Sequence, residues 1–209
     1  MKVSRFITLE GIEGAGKSTV ARALHEQLRR RGSEVLLTRE PGGTPLAEAI
    51  RELLLRRGTD ALNAVAETLL IFAARAVHLD NAIRPALAAG KWVICDRYTD
   101  ASYAYQGAAR GIEPGLIDHL AAAVHADLWP TRTLLLDLPV AEGLARARQR
   151  GGPADRFEAE RQEFFERVRE AYLARASADP QRIRVLDARV DERSLAAAAL
   201  AAIADLLPA

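Results

Sequence analysis

A single cysteine, Cys95, stands among 209 residues, so the chain cannot build an internal disulfide. That absence fits a reducing compartment. An excess of one charge is also missing. There are 29 basic and 28 acidic residues, giving a net charge of +1. No global field therefore draws the chain to nucleic acid or to a membrane surface, and any recognition of anions has to come from local arginine clusters. No basic helix or stripe argues for a nucleic-acid partner. No apolar run approaches the length of a membrane-spanning helix. The first residues do not read as a secretory signal, because Lys2 and Arg5 precede only a short apolar stretch that Glu10 ends. The expected location is cytoplasmic. His25, His78, His119 and His125 show no tight metal-ligand spacing and read as structural or surface residues, and Cys95 as a small buried hydrophobe.

Five short apolar runs read as strands: residues 5–10, 34–38, 92–96, 133–138 and 183–187. They are near-continuous rather than alternating, which suits parallel strands buried on both faces. Helical patterns lie between them at 17–31, ended by Gly32, and near 45–57, 64–89, 113–125, 140–150, 158–177 and 191–207. Strands alternating with helices predict an α/β fold with a parallel sheet. No repeat or linker divides the chain, so residues 1–209 read as one domain. The alanine-rich last stretch reads as a packed or partner-facing helix capped by Asp191.

Residues 9–24 run LEGIEGAGKSTVARAL. Gly11-Ile12-Glu13-Gly14-Ala15-Gly16-Lys17-Ser18 matches G-x-x-x-x-G-K-[ST] between a strand and a helix. Small residues let successive backbone N–H groups close around a phosphate, and the helix N-terminus adds partial positive charge. Lys17 reaches the terminal phosphates and the Ser18 hydroxyl suits Mg²⁺. Gly11 to Ser18, with Thr19 behind them, are the expected ATP or GTP cradle. The N-K-x-D reader of guanine is missing, and the chain is short for most motor or transporter ATPases. Asp137 is either a second acidic element of the cradle or simply the end of its strand.

Two more segments fall at carboxyl ends of strands, where open α/β sheets bind ligands. Residues 38–43, TREPGG, carry Arg39; residues 96–107, DRYTDASYAYQG, carry Arg97. Two arginines beside a phosphate cradle suggest a second anion site, since the planar guanidinium grips phosphate with two bonds. Phe72 and Arg75, in FAAR, offer a plate and a planar donor for a flat base, and Tyr103, Tyr105 and Gln106 offer further wall. Residues 145–158 hold Arg146 and Arg150 on one helix face and Arg148 off it, before Gly151, Gly152 and Pro153 break the helix. That pattern suits a lid, about 146–157, closing over phosphates.

Taken in order, LEGIEGAGKST, TREPGGTPLAEAIRELLL, FAAR, CDRYTDASYAYQGAARG and the arginine lid resemble the bacterial thymidylate kinase family over nearly the whole chain. The resemblance implies a P-loop NTPase-type three-layer sandwich: a five-stranded parallel sheet flanked by helices, with a short arginine-rich lid. It implies transfer of the ATP γ-phosphate to dTMP with Mg²⁺, for dTTP synthesis, by a homodimer. It further implies that Lys17, Glu13, Arg97 and a lid arginine among Arg146, Arg148, Arg150 and Arg156, with Arg148 and Arg150 favoured, serve catalysis, and that Ser18 and Asp96 hold the metal. Arg97, with Arg51, would grip the dTMP phosphate. Arg39, Glu40, Pro41 and Asp96 would complete the acceptor side, with Glu40 by the sugar. Phe72 would stack on thymine, while Arg75, Ser102 and Gln106 meet its polar edge, and Tyr105 would favour deoxyribose. The family's stacking phenylalanine often stands four residues before the helix arginine; here Ile71 stands there and Phe72 stands three before Arg75.

Overall fold

The computed structural model describes residues 5–56, 62–126, 128–149, 156–157 and 160–207. Strands β1 (Phe6–Glu10), β2 (Val35–Arg39), β3 (Trp92–Asp96), β4 (Arg132–Asp137) and β5 (Ile183–Asp187) form a sheet ordered β2-β3-β1-β4-β5. Every neighbouring pair is parallel. The expected α/β architecture with five parallel strands is what the chain forms. β1, β3 and β4 are buried nearly throughout, as their continuous apolar runs predict. β2 and β5 depart from that expectation. They are the sheet edges, and Leu37 and Val185 remain 39% and 48% exposed.

Alternate side chains of each strand enter opposite layers. Ile7 and Leu9 of β1, Ile94 of β3, and Leu134 and Leu136 of β4 pack against helices α1 (Lys17–Arg30) and α9 (Glu192–Ala201). Phe6, Val93 and Cys95 face the other way, onto Leu79, Ile83, Ala86 and Tyr98. On that side Leu135 and Ile183 also meet Phe164, Phe165 and Val168 of α8 (Gln162–Ala178). The result is three layers.

Helix α1 ends as expected: Gly32 takes φ +75°, its N–H reaches Arg29 O, and Ser33 N–H reaches Leu28 O. The Asp191 side chain accepts from the Arg193 and Ser194 N–H groups and caps α9. The helix expected over 64–89 is interrupted. α3 (Ala64–His78) passes into a π turn at Leu79–Ile83 and then α4 (Arg84–Ala88). Pro85 has no N–H for the regular ladder, and the Arg84 N–H instead reaches Leu79 O, five residues back. After β3 come α5 (Thr99–Ser102), a second π turn at Tyr103–Ala109, and α6 (Pro114–His125). Helices α2 (Pro45–Leu55) and α7 (Val140–Gln149) complete the order.

β1 and β3 are neighbours, yet their chains continue in opposite directions, β1 toward β2 and β3 toward β4. This is the switch point at which open α/β sheets form a crevice. The loops leaving β1, β2 and β3 all open there.

Candidate active site

Gly11, Gly14 and Gly16 have φ of +133°, +76° and +91°, a backbone that side-chain-bearing residues rarely adopt. A Cβ on Gly11 would come within 2.5 Å of Leu136 O, so the loop lies directly on β4. Lys17 folds back over the loop, donating from Nζ to Gly11 O at 2.9 Å and Ile12 O at 2.8 Å. Burial, then the charge of Arg97, pushes its pKa down to about 8. Ser18 is exposed at the first turn of α1, and its Oγ lies 3.5 Å from Asp96 Oδ2 at the end of β3. Asp96 Oδ1 is buried without a protein partner among the described residues. An orphaned carboxylate oxygen beside a hydroxyl is the donor set of a hard divalent cation. Asp137, by contrast, accepts two parallel bonds from Arg169, at 2.7 and 2.9 Å. The structure supports the strand-end reading for it.

Arg97 follows β3 with φ +70°, the only positive φ on a non-glycine among the described residues. Its N–H bonds to Leu9 O, and the Cys95 thiol donates to its carbonyl at 3.0 Å. Its Nη2 donates to Glu13 Oε1 at 2.6 Å and to Tyr105 Oη at 2.9 Å, and Tyr105 O–H donates to Glu13 Oε2 at 2.9 Å. Burial pushes the Glu13 carboxyl up, but Arg97 and Lys17 outweigh it and hold the group below the usual carboxylate range. Arg97 Nε is buried without a partner among the described residues. Glu13 thus joins the cradle to the arginine of the second site.

Beyond Arg97 opens a cleft that faces solvent. Glu13, Glu40, Pro41, Arg51, Arg75, Arg97, Ser102, Tyr105 and Gln106 all line it. The sequence placed these residues on four separate segments. Glu40 follows β2 and is buried; it accepts from Arg75 Nε at 2.7 Å and contacts His78 Nδ1 at 3.1 Å. Arg75 Nη2 donates to Tyr98 O and Ser102 Oγ, while its Nη1 is buried and unpartnered among the described residues. Arg51 donates to Pro41 O at 3.0 Å. Glu40, His78 and Cys95 come close enough to share a metal, yet each already has a protein partner, and they brace β2, α3 and β3 together.

Four expected site residues lie elsewhere. Phe72 does not line the cleft. It is buried with Ile112, Ile117 and Ala121, and the Arg75 guanidinium rests 4.5 Å from its ring centroid. Ile71 forms the cleft wall at that turn. One residue is 100° of helix, and Glu67, Ile71 and Arg75 share a face that Phe72 leaves. Arg39 and Asp96 face a neighbouring groove with Ser18, where Arg39 is half-exposed and paired with Glu48. Arg148 is exposed on α7; Arg150 and residues 151–155 of the expected lid lie outside the described residues.

Several contributors escaped the sequence reading. Phe157 lines the cleft and packs edge-on against Tyr105. Its place just after the lid arginines was the available signal. Glu67, fully buried, receives Gln106 Nε2 at 2.8 Å. The spacing of residues 67, 71 and 75 was the signal there.

Residues 9–198 match the family model described as Thymidylate kinase. The chain is 58% identical over 188 residues to the thymidylate kinase of Methylococcus capsulatus (Bath), covering 90% of this chain and 89% of that one. It is 60% identical over 183 residues to the thymidylate kinase of Pseudomonas fluorescens SBW25, covering 88% and 87%. The crystal structure of thymidylate kinase from Ehrlichia chaffeensis superposes with a TM-score of 0.77 at 34% identity, over 95% of this chain and 97% of that one.

Proposed function

The chain belongs to the thymidylate kinase family, and on that premise we propose that it moves the γ-phosphoryl group of ATP to dTMP across the junction between cradle and cleft, giving dTDP and ADP. The observation that carries this reading is the Glu13–Arg97 pair. It joins a phosphate cradle on one side to a cleft with a buried, unpartnered guanidinium nitrogen on the other.

The acceptor is a phosphate monoester whose second pKa is about 6, so at neutral pH it is mostly a dianion and needs no general base. The difficulty is bringing two polyanions into line, and catalysis is positioning plus charge neutralisation. Lys17 exchanges its loop carbonyls for ATP phosphate oxygens. Arg97 and Arg51 receive the dTMP phosphate, with Glu13 and Tyr105 fixing the Arg97 fork. Ser18 and Asp96 would hold Mg²⁺, whose role when bound is to neutralise phosphate charge. Arg148 and Arg150 are the lid cations assigned to the transferring group. In the cleft, Arg75 and Gln106 face the base.

The decisive test is ADP release from ATP and Mg²⁺ with and without dTMP. Strong dependence on dTMP is expected; equal release in both cases would remove thymidylate from the reading. The proposed assembly is a homodimer. Leu46 and Leu53 on α2, and Val65 and Leu69 on α3, are 48–59% exposed on two helices packed together, and a second copy would cover them. Light scattering should give twice the chain mass; a monomer at micromolar concentration would refute the dimer. No helix among the described residues is long and apolar enough to cross a membrane. The proposed setting is the cytoplasm, without nucleic-acid or membrane partners.

A further inference from the structure

Glu67 sits one layer behind the cleft, bonded to Arg156 at the end of the expected lid. It is 0% exposed on α3. Its Oε2 accepts from Arg156 Nη2 at 2.6 Å, and Arg110 Nε lies 3.3 Å away. Arg156 is itself tied by Nε to Leu54 O at the end of α2. The carboxylate is therefore pinned and cannot swing.

Its other oxygen receives the side-chain amide of Gln106 at 2.8 Å. A side-chain amide can face a partner with either end, and its orientation is settled by the neighbour it meets. A carboxylate held between two guanidinium groups only accepts. The end of Gln106 that meets it has to be the NH₂, and the carbonyl Oε1 is left as the end for the cleft that Gln106 lines. Among the described residues Oε1 has no protein partner. Eight residues beyond Glu67 on the same face of α3, Arg75 lines the same cleft, and its Nη1 is buried without a partner among the described residues. The pair presents one donor and one acceptor. A thymine or uracil ring edge offers the complement, a carbonyl beside an N–H. A cytosine edge offers an amino group beside a bare nitrogen, so both positions clash.

We propose that Glu67 is a specificity-determining positioning residue, which locks the Gln106 amide so that the cleft accepts a pyrimidine bearing a ring N–H and rejects an aminopyrimidine. The inference rests on the thymidylate reading above. Glu67→Gln keeps the shape but lets position 67 donate or accept, which frees the Gln106 amide to invert. A site built to bond one polar edge rejects its mismatch strongly, so the kcat/KM ratio of dTMP to dCMP should fall at least about tenfold in Glu67→Gln. In a Gln106→Ala background, the same change at 67 should leave the ratio within about twofold, because the residue acts through 106.

A folded Glu67→Gln enzyme with an unchanged ratio overturns the proposal, as does a fall that persists in the Gln106→Ala background. Should Glu67→Gln not fold, a crystal structure of the unaltered enzyme with dTMP decides. The expected structure keeps Gln106 Nε2 on Glu67 with Oε1 at the base ring N–H; a Gln106 that leaves Glu67 on binding overturns it. Wild-type enzyme that turns over neither nucleotide sinks the thymidylate reading itself, and this inference with it.

Discussion

At the scale of single residues, the site is a set of charges that burial has made responsive. Lys17 shows it most simply. In the ligand-free chain burial and Arg97 leave its pKa at about 8, so above that pH much of it is neutral. ATP phosphates favour the ammonium form and raise the pKa again. ATP binding near pH 9 should therefore take up a proton. Calorimetry in buffers of different ionisation enthalpy reads this directly, and an enthalpy independent of buffer would refute it. Arg97 makes a second case. Its left-handed backbone is held by the Leu9 carbonyl, the Cys95 thiol and Glu13, which aim one guanidinium at both halves of the site. Arg97→Ala should lower kcat/KM for dTMP by roughly 10²- to 10³-fold, the usual loss when a preorganised charge is removed from a transferring group. Its circular dichroism should match the parent. Turnover within a few-fold of wild type would take Arg97 out of the proposed mechanism.

At the scale of elements, the sequence was legible wherever one local rule acted alone. The cradle, the Gly32 stop, the Asp191 cap and the three central strands each follow from spacing, a cap or an apolar run. The misses share a cause: a neighbour from elsewhere in the chain decided them. Nothing within residues 34–38 or 183–187 says that these strands lie at the edges; the order of all five does. Phe72 looked like the base plate because it is aromatic, but the face defined by Glu67, Ile71 and Arg75 excludes it. Gly143 is the clearest instance. Glycine costs about 1 kcal/mol in a helix interior, and residue 143 sits inside α7. A Cβ there would stand 2.6 Å from Glu13 O and 2.8 Å from Ile12 Cδ1, while one on Gly14 would strike Gly143 O. The first turn of α7 packs backbone to backbone on the cradle. Gly143→Ala, favourable by propensity, should instead destabilise the fold by about 1–3 kcal/mol through overpacking and raise the KM for ATP. Urea unfolding and ATP titration kinetics check both. An unchanged KM would mean that the loop tolerates displacement.

At the scale of the whole molecule, Glu10 ties three elements in two layers with one buried carboxyl. It ends β1, accepts the Tyr98 N–H that follows β3 at 2.8 Å, and accepts the Tyr172 hydroxyl of α8 at 2.7 Å. Burial, then the nearby charge of Asp100, pushes its pKa up to about 8 from an ordinary value of 4.5. The sign follows from proton counting. Between pH 4.5 and 8 the folded chain keeps this proton and the unfolded chain has released it. The stabilising contribution is thus complete below pH 4.5 and is lost as the pH rises through 8, at up to about 1.4 kcal/mol per pH unit. Glu13, Glu40 and Asp100, whose pKa values are lowered, act in the opposite sense, so the total curve mixes the two. Glu10→Gln isolates the single group. Its amide can accept from Tyr98 N–H and donate to the Tyr172 oxygen, and it has no proton to lose. The variant and the parent should have similar unfolding free energies near pH 4.5 and separate steadily toward pH 8, with the variant the more stable. Urea titrations at half-unit pH intervals measure the gap. Parallel curves would mean that Glu10 ionises at the same pH in the folded and unfolded chain, and that the joint between β1, β3 and α8 is wet rather than dry.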